Sequence, residues 1–232
     1  MEGGAMRGLF TAGILDIFME NGVTFDSAVG VSAGAVFGIN LKSHQPGRVV
    51  RYNKTYCQDK RYAGISSLLH TGDLYNTQFN LEVIPQQLDP FDFEVYKKNP
   101  MEFYVVATDV DTGKPVYHLC PTAEGEDVQW MRASASMPGV SRIVTCGGLR
   151  LSDGGTADSI PLRFLESMGY RRNVVILTQP LGFVKKPYAH RKTLGVVLRD
   201  YPRLLHAMDI RPRMYNTELQ YVAKQERFGN CL

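Results

Sequence analysis

The sequence predicts an α/β fold, a three-layer α/β/α sandwich with a mainly parallel central sheet, and three observations predict it. Short β-branched or small-residue runs alternate with helical patterns, as in sheets covered on both faces. The run Ser27–Val31 hands over directly to an Ala- and Gly-rich helical stretch, 33–41. Residues 173–178, Asn-Val-Val-Ile-Leu-Thr, form an apolar run of the kind that parallel sheets bury on both faces.

Each element follows from local pattern. Leu9, Phe10, Gly13, Ile14, Ile17 and Phe18 fall on helical spacing before the stop at Asn21-Gly22, so a helix is expected over about 6–20. Further helices are expected at about 47–57 and 76–88, with irregular turn-rich sequence between them. Residues 101–109 and 114–119 read as strands around the turn Asp111-Thr112-Gly113. A helix is expected at 126–135, strands at 140–145 and 149–151 separated by Gly147-Gly148, and a helix at 161–168. The stretch 187–226 reads as mostly helical, broken at Pro202 and Pro212.

Composition narrows the class. Of the 232 residues 44% are hydrophobic and 21% charged, the profile of a globular chain. There is no uninterrupted apolar run of membrane-spanning length. Met1-Glu2-Gly3-Gly4 shows no leader pattern. Cys57, Cys120, Cys146 and Cys231 lack zinc-site spacing, and a disulfide scaffold is not expected in a chain this long. The expected compartment is the cytoplasm. A single domain over 1–232 is expected, lacking a first strand before the Gly3-Gly4 turn and a segment after Leu232.

The net charge of +3 is unevenly spread. Between Arg171 and Arg213 ten Lys/Arg face only Asp200 and Asp209, a surplus of eight, leaving −5 elsewhere. Such a segment is either a solvated face balanced in space or a patch that steers anionic partners, a membrane surface among them.

Three short motifs carry the chemistry. Gly30-Val31-Ser32-Ala33-Gly34 is a G-x-S-x-G sequence where a strand meets a helix. A serine on that turn has strained backbone angles, an exposed Oγ and a helix N-terminus behind it, as a nucleophile requires. By letters alone the pattern is weak, and the strand–turn–helix context gives it weight. Gly3-Gly4-Ala5-Met6-Arg7-Gly8 is a glycine loop before a helix, an anion cradle. It fits neither G-x-G-x-x-G nor G-K-[ST], so nucleotide binding fails on spacing. An oxyanion hole remains, with the amides of Gly4 and Ala5 as donors. A purely structural turn is the alternative. Asp153-Gly154-Gly155 follows a strand, at the edge where α/β sheets place ligands, and an Asx-type turn is its bland reading.

Taken jointly and in this order, the motifs resemble those of the patatin-like phospholipases. That family carries D/E-G-G-G-x-R-G, then G-x-S-x-G, then D-G-G or D-G-A. Ala133-Ser134-Ala135-Ser136-Met137-Pro138 is similar to its A-S-A-x-x-P segment. Ala5 departs from the pattern, standing for the third glycine. Its amide is retained, and the hole is expected to survive if Ala5 stays at negative φ. The resemblance implies a patatin-like fold and a Ser32–Asp153 dyad without a catalytic histidine. It implies a substrate-binding and oxyanion set of Gly3, Gly4, Ala5, Arg7 and Ala33, a lipid acyl ester as substrate, and no cofactor or metal.

Two rivals make different demands. A Ser-His-Asp esterase would need His190 or His206, the histidines after the acid, while His44, His70 and His118 read as structural. A non-catalytic lipid-binding protein would keep the fold without turnover. Asp109 and Asp111 flank a hairpin and lack a third ligand, so no metal is expected there. Trp130 and Met131 read as core. Leu68, Leu69, Leu74, Tyr75 and Phe79 lie where a lid or acyl pocket is expected. Expected partners are the lipid ester and a peripheral anionic membrane surface, without nucleic acid. Oligomeric state is left open.

Overall fold

A computed structural model describes residues 1–189 and 191–232. Helix α1 (Gly8–Glu20) follows a 3-10 turn at Ala5–Arg7 and leads into β1 (Ser27–Val31) and α2 (Ala33–Lys42). Helices α3 (Arg48–Tyr56) and α4 (Ile65–Thr71) come next, then a π-helical stretch Phe79–Leu88, then α5 (Phe93–Lys98). Strands β2 (Glu102–Asp109) and β3 (Pro115–Leu119) form the hairpin. Helix α6 (Glu126–Ser134), β4 (Val144–Cys146), β5 (Leu149–Asp153), α7 (Leu162–Ser167), α8 (Arg191–Val197) and α9 (Pro202–Arg227) complete the order.

The fold is the α/β sandwich the sequence predicts, with β2 as its axis. β2 is buried along almost its whole length and splits its side chains between two helical layers. Phe103 and Val105 pack with Leu15, Ala35, Tyr96 and Met131 of α1, α2, α5 and α6. Tyr104 and Val106 pack with Val29, Val31 and, from α7, Phe164 and Leu165 on the opposite face. Period-two alternation with both faces apolar is what a covered strand requires.

The sheet is mixed. β1 runs parallel to β2, while β3 and β5 run antiparallel to it and β4 antiparallel to β5. Two extended segments enlarge it beyond β1. Met1 exchanges backbone hydrogen bonds with β1, its amino group donating to the Val29 carbonyl and its carbonyl accepting from Val31 N–H. Glu2 N–H donates to the Ile176 carbonyl, which brings the apolar run 173–178 alongside. Asn173 and Val175 pair in turn with Cys231 and Leu232.

Several local expectations are corrected. Residues 140–143 are turn rather than strand, and β4 is confined to Val144–Cys146. Helix α9 runs through Pro212: the missing N–H forfeits one bond, yet Leu204, Met208, Pro212 and Tyr215 are all buried and hold the helix in place. The region of Pro85 is π-helical, with Asp89 N–H reaching the Ile84 carbonyl five residues back. Helix α4 arises where only turns were expected, and α5 in a stretch to which no element was assigned. No helix among the described residues is long and apolar enough to cross a membrane.

Candidate active site

Strand geometry brings the two halves of the site together. β3 pairs with β2 over Thr108 to Tyr104, so β1 and β5 must share the other edge of β2. They meet there end to end from opposite directions: Val31 lies against Val106 and Asp153 against Ala107. Ser32, the next residue after β1, therefore emerges beside Asp153, although 121 positions separate them.

Ser32 caps α2 with φ 54° and ψ −120°, in the left-handed region that costs a non-glycine residue about 1–3 kcal/mol. The flanking glycines permit this turn through close approach. A Cβ on Gly30 would stand 2.6 Å from the Ala35 Cα and closer still to the Gly34 carbonyl oxygen. A Cβ on Gly34 would stand 2.6 Å from the Met1 carbonyl oxygen. Helix α2 is thus pressed onto β1, and the N-terminal segment onto α2.

The Ser32 side chain lies close enough to the Asp153 carboxylate to favour its charged form. Asp153 is buried, and Gly155 N–H donates to its Oδ1 at 2.8 Å. Burial pushes its carboxyl above the usual range, opposed first by the positive charge of Arg211, then by Ser32 and Gly155. A carboxyl so placed is a stronger base than one in water.

The Ala133–Pro138 segment braces both residues, a role its sequence did not reveal. Ser32 N–H donates to Ser134 Oγ at 2.8 Å, and Asp153 N–H donates to the Ser136 carbonyl at 2.9 Å. Ser152 Oγ donates to that same carbonyl at 2.9 Å. The last residue of α6 and the residue two beyond it therefore set the spacing of the pair.

The glycine loop lies against Ser32, and a Cβ on Gly3 would stand 2.8 Å from the Ser32 Cβ. Thr178 holds the loop, its Oγ1 donating to the Gly3 carbonyl at 2.8 Å. Glu2 is buried and spends both oxygens as an anchor, accepting from Thr178 N–H at 2.6 Å and from Tyr215 O–H at 2.7 Å. Ala5 has φ 48°, so the negative φ on which the hole was made conditional is not met: the loop uses a glycine-like conformation here and strains an alanine to reach it. The amides of Gly4 and Ala5 find no acceptor among the described residues, and Ala33 N–H, in the first turn of α2, has no intrahelical one. Arg7 is exposed at the rim.

Two cavities open on either side of Ser32. The first, about 100 Å³, is largely apolar and lined by Ala33, Val36, Phe37, Tyr52, Tyr75 and Leu81 among others. Tyr75 thus joins the pocket its region was expected to form, whereas Phe79 is core and Leu69 is exposed. The second, about 520 Å³, is lined by Gly3, Gly4, Arg7, Asp153, Lys185 and Arg211 together with apolar residues.

Of the five histidines, His190 lies outside the described residues. None of the other four lines either cavity, and His206 is exposed on α9. His118, Cys120 and Asp127 bring one metal-ligating atom each within 4.8 Å of one another. Asp127 is already taken up by His118, Thr122 and the Ala123 amide, and His118 stacks on Trp130, so this cluster reads as structural. Asp109 closes the hairpin turn on Asp111 N–H and Thr112, and Asp111 pairs with Arg150.

This elbow, loop and turn aspartate on an α/β sandwich are the furniture of one family. The family model for patatin-like phospholipases matches residues 1–165, and the chain belongs to that family. Among individual relatives, an uncharacterized protein YjjU of Escherichia coli (strain K12) is 32% identical over 184 residues, which cover 77% of this chain and 51% of the relative. A lysophospholipase nte1 of Emericella nidulans is 24% identical over 181 residues, or 73% of this chain and 11% of that protein. A lysophospholipase nte1 of Aspergillus oryzae matches to the same extent, 24% over 179 residues. The chain thus spans about half of the bacterial relative and about a tenth of each fungal one.

Proposed function

We propose that this chain is a lipid acyl hydrolase working through a Ser32–Asp153 dyad. The observation that carries the reading is the Ser32 side chain set beside a buried Asp153 between an apolar and a cationic cavity. The acyl chain enters the apolar cavity and the leaving alcohol faces the second. Asp153 takes the hydroxyl proton as Ser32 Oγ attacks the ester carbonyl. The amides of Gly4 and Ala5, with Ala33 beside them, hold the oxyanion, each donor being worth about 2.7–4 kcal/mol of barrier. Asp153 returns the proton to the leaving alkoxide, and the C–O bond breaks to leave an acyl-serine. Water, deprotonated by the same carboxylate, then releases the fatty acid and restores Ser32. The fungal lysophospholipase relatives support a lipid ester as substrate.

Association with an anionic membrane surface accompanies this reading. Leu181, Val184, Val196 and Val197 are exposed within the basic segment, so apolar and cationic groups lie on the same stretch of chain. Sedimentation with phosphatidylglycerol vesicles that weakens as salt rises is expected, and salt-independent failure to bind would refute it.

The test of the hydrolase reading is hydrolysis of a p-nitrophenyl acyl ester by wild type, Ser32→Ala and Asp153→Asn. Turnover should fall by about 10³-fold or more in each variant. Comparable turnover in either variant would remove that residue from the dyad.

A further inference from the structure

The cavity on the Asp153 side holds more positive charge than ester hydrolysis requires. Of its two carboxylates, Glu2 is consumed by Thr178 and Tyr215, while Asp153 accepts from Gly155 N–H and feels the Arg211 charge without closing an ion pair with it. Against them stand Arg7, Lys185 and Arg211. No carboxylate among the described residues forms an ion pair with Lys185 or Arg211. The Lys185 ammonium meets ring faces instead, 4.5 Å from the Tyr215 centroid and 5.8 Å from that of Phe183. Arg211 donates from Nη1 to Tyr188 O–H at 2.7 Å, and its buried Nε has no acceptor.

These groups are held in place before any ligand arrives. Asn216 of α9 clamps the Lys185 backbone from both sides, its Oδ1 accepting from Lys185 N–H at 2.8 Å and its Nδ2 donating to the Lys185 carbonyl at 3.0 Å. Arg211 Nη2 and Asp153 Oδ1 each lie 3.1 Å from the point a Gly155 Cβ would occupy, so the guanidinium borders the leaving-group side of the dyad. Burial and the neighbouring Arg211 pull Lys185 down to about 8, although the Glu2 charge acts in the opposite direction. Both residues lie beyond position 165, where the family match ends.

We infer that Lys185 and Arg211 form an anion subsite that selects esters whose leaving alcohol carries a phosphate. The inference rests on the hydrolase reading for the location of the leaving group. A phosphate oxygen between the two side chains would supply the missing acceptors, and charge-assisted hydrogen bonds of this kind are the strong ones.

The test compares kcat/KM for 1-acyl-lysophosphatidylglycerol with that for the uncharged 1-monoacylglycerol of the same chain. Wild type should prefer the charged ester about tenfold to a hundredfold. Lys185→Met should erase most of that ratio through KM, and Lys185→Arg should retain it. An equal ratio in wild type and Lys185→Met would overturn the subsite. A calorimetric titration of Ser32→Ala with glycerol 3-phosphate separates this question from turnover. Binding that is lost in Ser32→Ala/Lys185→Met supports the subsite even if no ester is cleaved, and absence of binding overturns it. Inorganic phosphate binding more tightly than glycerol 3-phosphate without competing with it would overturn the assignment to a headgroup. Inactivity of wild type on both esters would count against the hydrolase reading alone.

Discussion

The turn that carries Asp153 is tied to α9 by a pair of carboxyl groups, and their shared proton makes a quantitative prediction. Asp158 and Glu218 lie against each other, Tyr117 O–H donates to Asp158 Oδ2 at 2.6 Å, and Ile160 N–H donates to Glu218 Oε2 at 3.2 Å. Burial first, and the Asp158 charge second, push Glu218 up to about 9 from an ordinary 4.5. The folded state therefore keeps a proton on the pair that the unfolded chain has released. Between about 4.5 and about 9 the native form binds one proton more, so stability falls as pH rises, at about 1.4 kcal/mol per pH unit. Glu218→Gln keeps the contact with Asp158 and removes the titration. Urea unfolding of both proteins at pH 5.5, 6.5 and 7.5 should show the wild type losing about 3 kcal/mol more than the variant across the range. Groups out of contact with position 218 cancel in this difference. Parallel slopes would refute a protonated Glu218.

The remaining predictions concern the elbow, the base and the loop. Gly30→Ala, whose Cβ would stand 2.6 Å from the Ala35 Cα, should destabilise the fold by about 3 kcal/mol or more, read as a fall in Tm. Gly13→Ala, which meets nothing within 4 Å inside α1, should instead raise Tm by relieving about 1 kcal/mol of helix cost. Arg211→Gln removes the cation that opposes burial at Asp153, so the acid limb of kcat/KM on an uncharged p-nitrophenyl ester should move to higher pH. An unmoved limb would show that Arg211 does not act on the base. At Ala5, with φ 48°, replacement by glycine should retain turnover and replacement by valine should lower it at least tenfold, since a β-branched residue resists this conformation.

What the sequence made legible was local. The elbow could be read because Gly30, Ser32 and Gly34 sit where a β-type run meets a helical one. The hairpin could be read because Asp111-Thr112-Gly113 separates two β-rich runs. The joining of Ser32 to Asp153 was reached through family resemblance, because its cause is that β1 and β5 share one edge of β2. No residue pattern announces such an arrangement. Glu2 and Thr178 meet across 176 positions, a pairing neither residue signals alone. The basic segment was ambiguous for the same reason: spacing alone could not distinguish Lys185 and Arg211, which line the cavity, from exposed Arg199 and Arg203. Pro212 was misread as a break because the burial that outweighs its lost hydrogen bond comes from tertiary packing.

The central claim, that Ser32 is a nucleophile activated by Asp153, is tested most directly by fluorophosphonate labelling with mass-spectrometric location of the adduct. One equivalent should attach to Ser32 in the wild type, none in Ser32→Ala, and the rate should fall by at least a hundredfold in Asp153→Asn. Absence of labelling in a wild-type protein that still binds lipid would contradict the account and make this chain a lipid-binding member of its family.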